Sequence, residues 1–212
     1  KHKYIVINNG VSDVFLKHKE SAINHELDNK SLKLISVGSL IPRKNLEMTF
    51  NALAQLHELG LKFEYTVVGG GTSRESLRFL AEKLLISNHV NFVGELPSEK
   101  VSNLLSRNSI FISSSRHEGR PNAVVEAMAS GCCVLLSDIN GHRELIEKSQ
   151  GGLMFNLDST DSLLECFSKL KDDPSLVVTS GFAARKFIRD EGLTWHGCAQ
   201  QYMSAFQELI EE

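Results

Sequence analysis

The chain has 212 residues, 42% of them apolar and 23% charged, enough to bury a sizeable core in one compact domain. Its 23 Lys and Arg against 26 Asp and Glu leave a formal charge of −3, which excludes a global field for nucleic acid or anionic lipid, so any phosphate site must be local. Four cysteines, with Cys132 and Cys133 adjacent in an apolar run, make neither a disulfide framework nor a spaced zinc pattern and read as reduced core residues of a cytoplasmic protein.

In chain order, residues 4–8 read as a first strand and the polar stretch 17–30 as a loop. Short β-branched runs at 34–37, 63–68, 90–93, 110–113 and 134–137, with a weaker one at 152–155, read as further strands. Amphipathic stretches at 46–59, 76–85, 99–106, 122–129 and 142–147 separate them. Breakers fall where such units need them: Pro42 and Pro121 at helix starts, Gly69 to Gly71 after a strand, Gly131 past a helix end. Beyond about residue 160 the strands stop, and 162–170, 174–190 and 195–210 read as closing helices. Strand and helix in turn imply an α/β fold, a Rossmann-like parallel sheet with helices on both faces. No apolar run approaches the ~20 residues that span a bilayer. The chain opens on Lys1, not Met, and is expected to be an excised piece.

Ligands of such sheets sit beyond the C-terminal strand ends, so chemistry is sought in the strand-to-helix loops. The segment Ser113 to Gly131 joins a strand to a helix opening at Pro121. The amides of Asn122, Ala123 and Val124 have no acceptor within that helix, and with the helix dipole they suit a diphosphate. Glu118 lies just ahead and Glu126 in the second turn, with seven residues between them. Such carboxylates can accept sugar or ribose hydroxyls, although by spacing alone they also read as a solvated loop residue and a helix-surface charge. Arg43 and Lys44 precede another helix; they read as neutralising a leaving diphosphate or as a solvated basic pair. Gly69-Gly-Gly-Thr-Ser matches no phosphate fingerprint and reads as a tight turn with Thr72 or Ser73 capping the next helix. The turn from Asn140 to Glu144 is expected to be explained by caps.

Taken together, Val6-Ile-Asn-Asn-Gly-Val, Val37-Gly-Ser-Leu followed by Arg43-Lys44, Val90-Asn-Phe-Val-Gly-Glu-Leu, Glu118-Gly-Arg-Pro-Asn-Ala-Val-Val-Glu126 and Gly141-His-Arg-Glu-Leu-Ile resemble the retaining family 4 glycosyltransferases of the GT-B fold, which carry a Glu-x7-Glu motif in their C-terminal domain. The resemblance runs from about residue 4 to 156. It implies that 1–212 is one donor-binding domain, with about 194–212 a helix crossing to an N-terminal domain. It also implies that Arg43 and Lys44 hold the diphosphate, Glu126 the ribose, Leu96 the base, and that Asn122, Ala123 and Val124 give amides to phosphate, with Glu118 beside the donor sugar as the catalytic carboxylate, though not a covalent nucleophile. This chain has Ser39 where many members carry Arg, and Gly119-Arg120-Pro121 where an apolar step is usual.

The implied substrate is a nucleoside diphosphate sugar, UDP-sugar before GDP-sugar, transferred with retention to a glycan or lipid-linked acceptor held by the N-terminal domain. No Asp-x-Asp triplet occurs, so neither metal nor cofactor is expected, with the cations and helix terminus in the metal's place. Nucleic acid and a membrane span are not expected, although the full-length protein could sit at the inner membrane face. The isolated piece is expected to bind donor without turnover. A non-catalytic nucleotide-binding module and half of a sugar-nucleotide epimerase are the alternatives.

Overall fold

The computed structural model describes residues 5, 7, 9–17, 31–119 and 121–211. The strand expected at 4–8 and the loop at 17–30 therefore lie largely outside the described residues. Among the described residues there are six strands: β1 (Leu32–Val37), β2 (Phe63–Val68), β3 (Val90–Gly94), β4 (Ile110–Ser113), β5 (Cys133–Ser137) and β6 (Gly152–Phe155). Five helices connect them: α1 (Leu46–Glu58), α2 (Arg74–Lys83), α3 (Ser98–Leu105), α4 (Asn122–Ala129) and α5 (Asn140–Ser149). Three more close the chain: α6 (Thr160–Asp172), α7 (Ser175–Asp190) and α8 (Trp195–Glu211).

All neighbouring strands are parallel, in the order β3-β2-β1-β4-β5-β6. The α/β expectation therefore holds. The chain winds outward from β1 to β3, then returns past β1 to start β4. The crevice between the ends of β1 and β4 is thus the point where winding reverses, where parallel sheets take ligands.

Successive strand residues point to opposite faces, and each face has its own core. Leu34, Tyr65, Ile112 and Leu135 pack beneath α1 and α6, which contribute Phe50, Leu53 and Phe167. Ile35, Phe111, Val134 and Leu136 pack beneath α4 and α7, which contribute Met128, Ala184 and Ile188. Burial on both faces is why these strands read as continuous apolar runs instead of alternating ones. Cys132, Cys133, Cys166 and Cys198 are all free and buried, as read from the sequence.

Differences from the sequence reading are local, and element ends shift by no more than two residues, as in α2 at 74–83 where 76–85 was expected and α6 at 160–172 where 162–170 was expected. Helix α5 extends two residues beyond the expected 142–147 at each end, because its polar ends carry no apolar periodicity. Ser73 precedes α2 but makes no side-chain cap bond. The Gly69 to Gly71 loop is instead held by backbone: the Leu40 amide donates to Gly70 O at 2.7 Å and the Ser73 amide to Leu40 O at 2.8 Å. Among the described residues no helix is long and apolar enough to cross a membrane.

Candidate functional site

After β1 the chain makes one 3-10 turn, Pro42–Lys44, and Asn45 ends it in the left-handed region at φ 52°, a conformation Asn tolerates better than most residues. This turn carries Arg43 and Lys44 over the end of β4. Gly38, at φ 147°, takes a backbone conformation that strains other residues and lets the strand end turn beneath Lys44. The loop after β4 is tied to the same turn. Ser114 Oγ lies 2.9 Å from Asn45 O and accepts from Thr49 Oγ1 at 3.0 Å, and the Arg116 amide donates to Arg43 O at 2.9 Å. Two loops from adjacent strands are thereby fixed as one rim.

Between them lies a cavity of about 300 Å³ lined by residues from both loops, including Arg43, Lys44, Glu118, Asn122, Ala123 and Val124. Six of the residues expected to contact donor are thus brought together. Leu96 and Glu126 are not in that lining: Leu96 packs partly buried against the core beneath α4, and Glu126 sits one turn further along α4.

Glu118 is at the centre of the cations. Its Oε1 accepts from Lys44 Nζ at 2.5 Å and from Ser115 Oγ at 2.7 Å, and its Oε2 accepts from Arg43 Nη1 at 3.2 Å. The carboxylate side chain is only 7% exposed, against 45% for Arg43. Burial by itself pushes the Glu118 carboxyl up, but the bonds from Lys44 and Ser115 and the charges of Lys44 and Arg43 outweigh it and hold the group below its usual value. Arg43 Nη1 also donates to His117 O at 2.6 Å.

The helix start offers fewer amides than its position suggests. The Val124 amide donates to Pro121 O at 2.9 Å, so this expected phosphate donor is already occupied. Asn122 and Ala123 keep theirs without a partner among the described residues. Among the described residues the cavity therefore presents two side-chain cations, two free amides and one carboxylate.

Glu126 differs from Glu118 in every respect. It has no side-chain partner among the described residues, and burial pushes its carboxyl up to about 7. A carboxylate in this state is short of donors.

The sequence reading missed the support beneath Glu118. His142, fully buried, places Nδ1 3.0 Å from Ser137 O and Nε2 3.5 Å from Ser113 Oγ. A carbonyl only accepts, so Nδ1 carries the proton. Ser137 Oγ donates to Ser115 O at 2.7 Å. At the start of α5, a Cβ on Gly141 would lie 3.0 Å from Glu118 O. The turn expected to be explained by caps instead braces the Glu118 loop; Ile139, ahead of α5, makes no side-chain cap bond. Ser137 and Ser115 are 22 positions apart in sequence and His142 and Ser113 are 29, separations that local spacing does not report.

Residues 17–187 match the model of the family described as Glycosyl transferases group 1, and the chain belongs to that family. It is 30% identical over 169 residues to the amylovoran biosynthesis glycosyltransferase AmsK of Erwinia amylovora, covering 77% of this chain and 42% of the relative. Its fold matches sucrose-phosphate synthase from Thermosynechococcus elongatus with a TM-score of 0.84 at 21% identity, over 98% of this chain and 53% of that one. It also matches Anabaena HepE, solved in complex with UDP-glucose, with a TM-score of 0.80 at 20% identity, over 96% of this chain and 57% of the other. The chain spans about half the length, or less, of the curated relatives it matches.

Proposed function

We propose that residues 1–212 form the donor domain of a retaining glycosyltransferase of the Glu-x7-Glu type, binding a nucleoside diphosphate sugar, with UDP-sugar preferred to GDP-sugar. The observation that carries this is the cavity at the winding reversal, where Arg43, Lys44 and the free amides of Asn122 and Ala123 converge. Such a set matches the charge and the donor count of a diphosphate. HepE's complex with UDP-glucose on the same fold supports the choice of base.

In the transfer step the bond from the sugar's anomeric carbon to the diphosphate breaks, and its electron pair moves onto the departing phosphate oxygen. Arg43, Lys44 and the two amides stabilise that charge as it grows. The acceptor hydroxyl oxygen forms the new bond on the face the diphosphate leaves, which keeps the anomeric configuration, and its proton passes to the departing phosphate oxygen. Glu118 orients the sugar through its hydroxyls and is not a covalent nucleophile, in keeping with an acid already committed to Lys44, Arg43 and Ser115. Glu126 takes the ribose hydroxyls, and Leu96 lies toward the base.

The acceptor, a glycan or lipid-linked chain, is held by a second domain that α8 crosses to meet. Tyr202, Met203, Phe206, Leu209 and Ile210 leave an apolar stripe on that helix uncovered. We place the enzyme in the cytoplasm, where four unpaired thiols stay reduced. Alone, residues 1–212 bind donor without transferring it.

The test is calorimetric titration with UDP, GDP and ADP without added metal, repeated on Lys44→Ala and Glu126→Ala. Saturable binding of one nucleotide, weakened by about 1 kcal/mol or more in each variant, is expected for lost charge-assisted bonds. Binding that both variants leave unchanged would contradict the assignment.

A further inference from the structure

The cations that would grip a diphosphate are already engaged. In the free site Lys44 Nζ lies 2.5 Å from Glu118 Oε1 and Arg43 Nη1 lies 3.2 Å from Glu118 Oε2. A diphosphate reaching Lys44 and Arg43 must take donors away from this carboxylate. Glu118 has little freedom to follow them or to turn to water. Its side chain is 7% exposed, a Cβ on Gly141 would lie only 3.0 Å from its carbonyl oxygen, and the preceding loop is held by the bond from Ser137 Oγ to Ser115 O. Once the cations shift, Ser115 Oγ, at 2.7 Å, is the one side-chain donor left to it among the described residues. A buried carboxylate short of donors is costly.

Resting on the donor-site reading above, we propose that Glu118 is the internal counter-ion that a diphosphate displaces, and that this exchange makes the site discriminate the nucleotide sugar from the bare nucleoside diphosphate. The donor sugar carries hydroxyls that replace the lost cation bonds on Glu118. A nucleoside diphosphate without sugar carries none there and leaves the carboxylate unsatisfied. After transfer the sugar has gone, Glu118 recaptures Lys44 and Arg43, and the spent nucleotide is pushed out. One carboxylate thereby links recognition of the sugar to release of the product.

The prediction runs opposite to that for a simple ligand-binding residue. Glu118→Gln removes the negative competitor for Lys44 and Arg43, so UDP binding tightens, by ~5-fold or more if the penalty is that of one unsatisfied buried acceptor. UDP-glucose gains less, because it already repaid the exchange, and its preference over UDP falls toward unity. Ser115→Ala acts in the other direction. It strips Glu118 of its remaining donor, weakens UDP more than UDP-glucose, and widens the preference. Using two variants of opposite sign keeps the test decisive should either fail to fold, and circular dichroism identifies that case.

The experiment is calorimetry of the 212-residue chain and the two variants with UDP, UDP-glucose, GDP and GDP-mannose. Wild-type preference for the nucleotide sugar, lowered by Glu118→Gln and raised by Ser115→Ala, is the expected result. If Glu118→Gln weakens nucleotide and nucleotide sugar by the same factor, or Ser115→Ala leaves their ratio fixed, the counter-ion exchange is wrong while the donor site stands. If the folded wild type binds none of the four, the donor-site reading itself fails and the exchange falls with it.

Discussion

Burial pushes the Glu126 carboxyl from its usual 4.5 up to about 7, because it disfavours the charge and no described side chain offers a bond. A raised carboxyl pKa contributes stability that is complete below about 4.5 and is lost as pH rises through about 7. Glu126→Gln cannot ionise, so above pH 7 it is expected to be more stable than wild type by about 1 kcal/mol, a figure discounted for partial exposure. Thermal melts should show the gap at pH 8 and none at pH 4. On the proposal that Glu126 takes the ribose, the ribose hydroxyls would donate to the ionised form, so nucleotide affinity should rise with pH toward about 7 and Glu126→Gln should flatten that rise in a pH series of titrations. His142 makes a complementary prediction. Burial lowers its pKa and Ser137 O fixes the proton on Nδ1, so ¹⁵N shifts at pH 7 should report a neutral ring with bare Nε2. A ring protonated at both nitrogens would contradict the bracing role. At this scale the residues with charge or helix-terminal position, Arg43, Lys44, Glu118, Asn122 and Ala123, were legible in the sequence. Ser115, Ser137 and His142 were not, because their meaning comes from bonds between loops.

The order and type of the strands and helices from β1 to α8 were legible because apolar periodicity marks each one and Pro or Gly marks the joins. What periodicity does not report is close packing of backbone. Gly181 in α7 is a case: a Cβ there would stand 2.2 Å from the Gly131 carbonyl oxygen, so α7 must back away from the end of α4. Gly181→Ala is expected to cost about 1–3 kcal/mol, seen as a lower midpoint in urea at unchanged slope. Leu85, just past α2, has φ 58° and is 79% exposed. A branched side chain in that conformation is strained by about 1–2 kcal/mol and buries little in return. Leu85→Gly relieves the strain and gives part of it back as unfolded-chain entropy, so a net gain of up to about 1 kcal/mol, roughly 2–4 °C in Tm, is expected. A fall in Tm would show that Leu85 packs on something it does not touch here.

Across the whole molecule the winding order determines where the site sits. With β1 and β4 adjacent at the centre of the sheet, the loops that follow them must meet, and those are the loops carrying Arg43, Lys44 and Glu118. The far end of the chain shows the opposite condition. Phe206 and Ile210 on α8 are 60% and 83% exposed, so in the isolated chain Phe206→Ser with Ile210→Ser should change stability by less than about 0.5 kcal/mol. If α8 docks on a second domain, the same pair of changes should weaken association with that domain in a pull-down of the two halves. The central claim, that the cavity between the β1 and β4 loops holds the diphosphate of a nucleotide sugar, is tested most directly by a crystal structure of the chain soaked with UDP-glucose. The account predicts phosphate oxygens within hydrogen-bond distance of Lys44 Nζ and of the Asn122 and Ala123 amides, with the cations drawn off Glu118 and sugar hydroxyls in their place. A nucleotide bound elsewhere would contradict it; phosphates in that cavity that leave the Lys44 to Glu118 pair intact would contradict the counter-ion exchange alone.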